Sequence, residues 1–241
     1  MKILIVRHAD PDYSIDSLTD TGKVEAELLS QRLTKLDIKE FYVSILGRAR
    51  DTADYTLKKL GKTAHICEWL KEFSPIIDRP DRPHSIAWDW LPEDWTKIPE
   101  FFSFTDWGNN ATMREGKVFE EFNRVTTEFD KVIEKHGYAR NGNVYKVVKP
   151  NDDTIAFFCH FGVECVLLSR LLNISPMSLW HGFCALPSSV TTIVTEERRE
   201  GTASFRVLQF GDLSHLYAGG EEPSFAARFC ELFSNTYERH D

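Results

Sequence analysis

The stretch Lys2–Tyr13, KILIVRHADPDY, decides how the rest of this chain is read. Its apolar run Ile3-Leu4-Ile5-Val6 stops abruptly at Arg7-His8. A short aliphatic run bounded by polar residues predicts a buried strand, and stiff β-branched side chains suit a pleated surface. The residues just past such a strand stand at the carboxyl edge of the sheet, where open α/β folds bind ligands. An arginine beside a histidine at that edge puts an anion clamp next to a candidate nucleophile. Taken alone, the pair reads better as an exposed basic dipeptide, since a short motif is a hypothesis until its context supports it.

The context builds outward from there. Leu18-Thr19-Asp20-Thr21-Gly22 leads into a helical pattern at Val24, Leu28, Leu29 and Leu33, with Thr19 or Asp20 as its cap. Phe41–Ile45 predicts a second strand, Ala49–Leu60 a helix stopped by Gly61, and Thr63–Cys67 a weak third strand. Thr154–Cys159, TIAFFC, is a strong buried strand, followed by Gly162 and a helix carrying Val163, Val166, Leu167 and Leu171. Ser189–Thr195 and Ala203–Gln209 complete the strands, and Phe225–Phe233 predicts a last amphipathic helix. Strands alternating with helices imply βαβ units and a mainly parallel sheet.

The middle differs. Between Ser74 and Asn110 stand five prolines and Trp88, Trp90, Trp95 and Trp107, four of the six tryptophans, so this is no solvated linker. A helix over Gly116–His136 follows, then a turn at Asn141-Gly142-Asn143. We expect one domain over residues 1–241, with 74–150 as an insertion that packs on the sheet edge and overhangs the site as a lid. Plain core filling is the competing expectation.

Composition bounds the function. At 241 residues the chain fits one large α/β domain or two small ones. Twenty-nine Lys+Arg against 37 Asp+Glu leave a formal charge of −8, which argues against a general nucleic-acid binder but not against an anionic substrate held by local arginines. The cysteines, Cys67, Cys159, Cys165, Cys184 and Cys230, are odd in number and form no CxxC, as in a reducing compartment. A core strand begins within two residues of the N-terminus and no apolar run reaches membrane-spanning length, so neither signal peptide nor membrane contact is expected and the cytoplasm is the default. Oligomeric state is open, a homodimer included.

Three further segments give Arg7-His8 its meaning. Ser44–Ala53, SILGRARDTA, puts Arg48 just past the second strand, where a helix begins and its free N–H groups suit phosphate. Cys159-His160-Phe161-Gly162 puts a second histidine directly after a buried strand, and Leu70-Lys71-Glu72 puts a carboxylate after the third. Two histidines, two arginines and an acid at strand ends form an ordered constellation. Arg50 and Asp51 read as surface partners on their helix, His181 and His215 as structural, and Arg79, Arg82, His84 and Arg114 as surface residues. Gly61-Lys62-Thr63 lacks the earlier glycine of a phosphate-binding loop, and no HExxH-like metal spacing is present.

This pattern resembles the histidine phosphatase superfamily, the phosphoglycerate mutase-like proteins, over residues 1–110 and 153–220. Supporting matches are Leu18–Gly22 to the family's LTxxG, Arg48-Ala49 with Thr52-Ala53 to its RAxxTA, and Ser214-His215-Leu216 to its late SHL. The resemblance implies a three-layer α/β/α sandwich with a mostly parallel central sheet. It implies that His8 takes the phosphoryl group as phosphohistidine, that Arg7, Arg48 and His160 surround the phosphoryl oxygens, and that Glu72 is the general acid and then the base for water. Such chemistry is mostly positioning and charge neutralisation, which arginine's planar fork serves, and requires no metal or cofactor. The departures are Ala9 where the family carries glycine, Pro11 for its Ser/Thr, Ser14 for its Asn, and Phe161 where glycine follows the second histidine. Ser14 retains a hydroxyl to offer phosphate; Pro11 does not. The absence of aspartate after His160 speaks against the acid-phosphatase and phytase branch. The expected activity is hydrolysis of a small phosphorylated metabolite. A phosphomutase of the same fold is the alternative, disfavoured by Phe73-Ser74-Pro75-Ile76-Ile77 after the acid, and a non-catalytic phospho-ligand binder is the alternative of another class.

Overall fold

The computed structural model describes residues 1–224 and 233–235, so the helix expected over Phe225–Phe233 lies almost wholly outside the described residues. An eight-stranded sheet forms the centre. Its strands are β1 (Lys2–Arg7), β2 (Ile38–Ser44), β3 (His65–Cys67), β4 (Tyr138–Asn141), β5 (Val144–Val147), β6 (Thr154–Cys159), β7 (Val190–Arg199) and β8 (Thr202–Asp212), in spatial order β3-β2-β6-β1-β7-β8-β5-β4. From β3 to β1 every pairing is parallel; from β1 onward every pairing is antiparallel. The sheet is therefore mixed. Most of its strands share one direction, with β7 and β5 running against the rest.

Alternation along the strands makes the layers. Leu4 and Val6 of β1, Phe41 and Val43 of β2 and Ala156 and Phe158 of β6 face one way, against Leu29 and Leu33 of α1 (Asp20–Leu33) and Ala53 and Leu57 of α2 (Gly47–Leu60). Ile3, Ile5, Tyr42, Ile155 and Phe157 face the other way, into a larger core shared with α3 (Val118–Lys135), α4 (Phe161–Leu172) and α5 (Pro176–Gly182). A period of two in the strands thus divides one hydrophobic sequence between two cores, giving the three-layer α/β/α arrangement. Of the two expected caps, Thr19 is the one used. Its hydroxyl accepts the Gly22 N–H at 2.9 Å, and Gly61 ends α2 at φ +62°.

Residues 74–150 carry much of the larger core. Trp90, Trp95, Phe101, Trp107 and Met113 are buried there, and α3 adds Phe122, Val125, Phe129 and Ile133. The turn at Asn141–Asn143 joins β4 and β5, two strands the sequence pattern did not predict, and they extend the sheet through the pairs Ala203↔Tyr145 and Thr202↔Lys146. Four-residue strands give too little alternation to read. Among the described residues no helix is long and apolar enough to cross a membrane.

Candidate active site

Register brings the candidate residues to one edge. Arg7 pairs with Cys159, Phe158 with Val43 and Ser44 with Cys67, so the parallel strands β1, β6, β2 and β3 end together. The segments that leave them carry His8, His160, Arg48 and Glu72. The His8 N–H donates to the Cys159 carbonyl at 3.0 Å, continuing the ladder one step past β1.

His8 is 1% exposed. Its Nδ1 lies 2.8 Å from the Ala9 carbonyl, which only accepts, so Nδ1 carries the proton and Nε2 keeps its lone pair. Burial first, then the charges of Arg7 and Arg48, push its pKa well below the ordinary value. The ring is thus neutral over a wide pH range, as a nucleophile must be. Ala9, in the place of the family's glycine, is fully buried, and its N–H donates to the Thr52 hydroxyl at 2.9 Å. Thr52 in turn donates to the Arg48 carbonyl at 2.7 Å, tying the His8 loop to α2.

The two arginines frame His8. Arg7 is 6% exposed, donates through Nη1 to the Ala185 carbonyl, and lies over the Phe161 ring at 5.7 Å. Arg48 pairs through Nη1 with Asp16 at 2.5 Å and lies over Tyr13 at 5.3 Å. The Nε of each is buried without a partner in the protein.

His160 stands with its ring centroid 5.0 Å from that of His8. Its Nε2 meets the Ser44 hydroxyl at 2.8 Å, and its Nδ1 is buried without a partner. Burial, then His8 and the two arginines, holds its pKa well below the usual value. Glu72 Oε1 accepts the N–H groups of Phe73 at 2.8 Å and Val163 at 3.2 Å, the latter in the first turn of α4. Burial raises its pKa, against the lowering pull of Arg7, those two N–H bonds and Arg48.

Gly162 makes this approach feasible. A Cβ there would lie 2.6 Å from Trp88 Nε1 and 2.7 Å from Glu72 Oε1. The Gly162→Ala variant should therefore stay folded but lower kcat by about 10²-fold, the usual effect of moving a catalytic group by about 1 Å. Paired thermal melts and steady-state rates check this, and an unchanged kcat would show that Glu72 need not sit where it does.

A family model described as the histidine phosphatase superfamily (branch 1) matches residues 3–207. The chain belongs to this superfamily. It is 28% identical over 225 residues to the serine/threonine-protein phosphatase Pgam5, mitochondrial, of Caenorhabditis briggsae, a match covering 89% of this chain and 64% of the relative. It is 26% identical over 190 residues to the adenosylcobalamin/alpha-ribazole phosphatase of Salmonella typhi, covering 75% and 84%. The chain thus spans somewhat under two thirds of the length of the Pgam5 relatives. Among solved structures, the phosphoserine phosphatase of Entamoeba histolytica in complex with 3-phosphoglyceric acid shares the fold, with TM-score 0.58, 18% identity, and coverage of 89% of this chain and 98% of that one.

Against the histidine phosphatase pattern the departures now have a physical reading. Phe161 is 2% exposed, supports Arg7 and meets Trp88 edge-on at 6.1 Å, while Gly162 supplies the close approach to Glu72. Pro11 pairs with Leu18 in a two-residue antiparallel ladder, so the family's Ser/Thr place is a short strand here. Ser14 is exposed, and its hydroxyl donates to Asp12 at 2.5 Å. It is not brought into the group around His8. The start of α2 is not open to phosphate as the sequence suggests. Asp16, at φ +49°, accepts the Gly47 N–H at 2.7 Å as well as binding Arg48. The helix N-terminus does hold an anion, and it is the chain's own.

Other expectations are met or corrected by their partners. His181 is structural: Nδ1 donates to the Met177 carbonyl at 2.8 Å and Nε2 accepts the Trp90 N–H at 3.1 Å. His215 meets the Ser188 hydroxyl at 3.1 Å, and the Ser188 N–H donates to the His8 carbonyl at 3.0 Å. Arg79, expected on the surface, is 9% exposed and bound to Asp81 and Asp89. Asp51 pairs with Ser17 at 2.6 Å, not with Arg50. Sequence reasoning missed Asp16, Ser44, Thr52 and Trp88 as supports, and also Glu164. That carboxylate is 1% exposed and accepts the Thr191 hydroxyl at 2.5 Å; burial raises its pKa to about 7. Of these only Thr52 carried a signal, as part of RAxxTA. Among the described residues no three His, Cys, Asp or Glu side chains cluster as metal ligands would.

Proposed function

We propose that this chain is a phosphatase that hydrolyses a small phosphomonoester through a phosphohistidine on His8, without metal or cofactor. The observation that carries the reading is the set of buried donors lacking a protein partner, Arg7 Nε, Arg48 Nε and His160 Nδ1, around a histidine whose Nε2 is neutral. Buried donors are nearly always satisfied, so such a set marks a place for an oxygen-rich anion. In the first step His8 Nε2 attacks phosphorus in line. The bond to the leaving oxygen breaks, and Glu72 gives that oxygen its proton, releasing the alcohol. In the second, the Glu72 carboxylate takes a proton from water, the water oxygen attacks phosphorus, and the P–N bond breaks to free inorganic phosphate and neutral His8. The Ser44 hydroxyl, by donating to His160 Nε2, leaves Nδ1–H to meet a phosphoryl oxygen. Ser14 would serve phosphate only by exchanging its bond to Asp12. Residues 74–150 cover one side of the site through Trp88. We read the compartment as the cytoplasm, from the free thiols of Cys67, Cys159 and Cys165.

The test is inorganic phosphate release from a panel of phosphometabolites between pH 5 and 8, with alkaline quench to trap the labelled enzyme. Hydrolysis with a base-stable, acid-labile label on His8 is the expected result. Transfer between substrate positions without phosphate release would identify a mutase, and no turnover of any ester would leave a phospho-ligand binder.

A further inference from the structure

Next to the phosphate pocket runs a cleft of about 530 Å³, within the range of small-molecule sites. Trp90 and Trp180, both buried, form its floor, and Trp88, Leu91 and Phe183 its walls. Leu91 and Phe183 are each 46% exposed, large apolar groups left at the rim. Its two banks are locked together where the Trp90 N–H donates to His181.

Both banks of the cleft adjoin residues that hold the group around His8. On one bank, Cys184 precedes Ala185, whose carbonyl holds Arg7. On the other, Trp88 donates through Nε1 to the Phe73 carbonyl at 2.5 Å, one residue from Glu72, and flanks Gly162 with it. An alcohol that leaves phosphorus on the Glu72 side therefore has this cleft beside it. Among the described residues the lining includes no lysine or arginine, and its one carboxylate, Asp89, is already paired with Arg79 at 3.3 Å. His181 has both ring nitrogens engaged, and burial lowers its pKa, so it offers no cation. A leaving group with its own carboxylate or second phosphate would find no counter-charge here, whereas a flat apolar one would bury its faces against indole and phenyl rings.

We propose that this cleft is the leaving-group subsite and that it selects phosphomonoesters of uncharged aromatic alcohols over those of carboxylated ones. The inference rests on the phosphatase reading. It is tested by comparing 2-naphthylmethyl phosphate with O-phosphoserine, both esters of primary alcohols, on the full chain. The naphthylmethyl ester should show at least a tenfold higher kcat/KM, and Leu91→Asp and Phe183→Asp should each erase most of that advantage while leaving ethyl phosphate, too small to reach the rim, unchanged. Calorimetric titration with 2-naphthylmethylphosphonate reads the cleft without turnover, and the same variants should weaken binding at least tenfold. Equal kcat/KM for the two esters, or phosphonate binding indifferent to both variants, would overturn the subsite. Loss of turnover on every ester with rim-dependent phosphonate binding intact would instead fault the phosphatase reading, overturn the leaving-group role and keep only the cleft's preference for aromatic ligands.

Discussion

Replacing His8 with alanine should stop phosphate release from every ester, lowering kcat by a factor on the order of 10⁴ or more, as loss of a covalent nucleophile does. Among the described residues none nearby can substitute. The neighbouring imidazole of His160 is committed through Nε2 to Ser44, and the nearest thiols, Cys159 and Cys165, are buried with pKa values raised far above the usual thiol range by burial, then by Glu164 and Glu72. Because His8 is buried, the alanine variant leaves a hole, so His8→Asn is the companion. Its amide keeps a donor for the Ala9 carbonyl but supplies no nucleophile. Both variants should fail to trap label, and the asparagine variant should melt close to the unaltered protein. Turnover surviving in the asparagine variant would remove His8 from the mechanism.

Glu72→Gln separates proton donation from placement. Glutamine retains an Oε1 to accept from Phe73 and Val163, so the position at α4 is preserved while the proton is lost. For alkyl esters, whose leaving oxygen needs that proton, kcat/KM should fall by about 10²- to 10⁴-fold. For p-nitrophenyl phosphate, whose phenolate leaves unassisted, the loss should be far smaller. The pH dependence follows from the directions of the two shifts. Glu72 is raised, so its acid form persists above the ordinary carboxylate range, and His8 is depressed, so its neutral form persists below the ordinary imidazole range. The phosphorylation step, read as kcat/KM, should be fastest in mild acid and fall as pH rises through the Glu72 titration. The glutamine variant should lose that falling limb. An unchanged profile, or equal losses on both esters, would show that Glu72 is not the acid.

How much of this was legible in the sequence depends on the range of the signal. Ile3–Val6 and Thr154–Cys159 announce themselves because strands buried on both faces must be aliphatic or aromatic throughout. Residues placed directly after those strands, His8 and His160, follow from position alone, and Arg48 and Glu72 from the matched pattern. The supports did not follow. Asp16 acts through a left-handed turn and a partner 31 residues away, and Trp88 reaches the Phe73 carbonyl, beside Glu72, only once the chain has folded back over α4. Nothing in local periodicity encodes such contacts. The same holds for β4 and β5, whose edge position is set by β8 and not by their own composition.

The bond from His8 Nδ1 to the Ala9 carbonyl has one more implication. Where a histidine's tautomer is fixed by another side chain, substituting that side chain disarms it. Here the fixing group belongs to the peptide unit of the next residue, present whatever side chain stands there. On the proposed mechanism, neighbouring positions can drift in sequence and change how firmly phosphate is gripped or which alcohol is accepted, while Nε2 of His8 stays ready. Mutational loss of this site should therefore begin with its arginines and its cleft, and reach the readiness of His8 last.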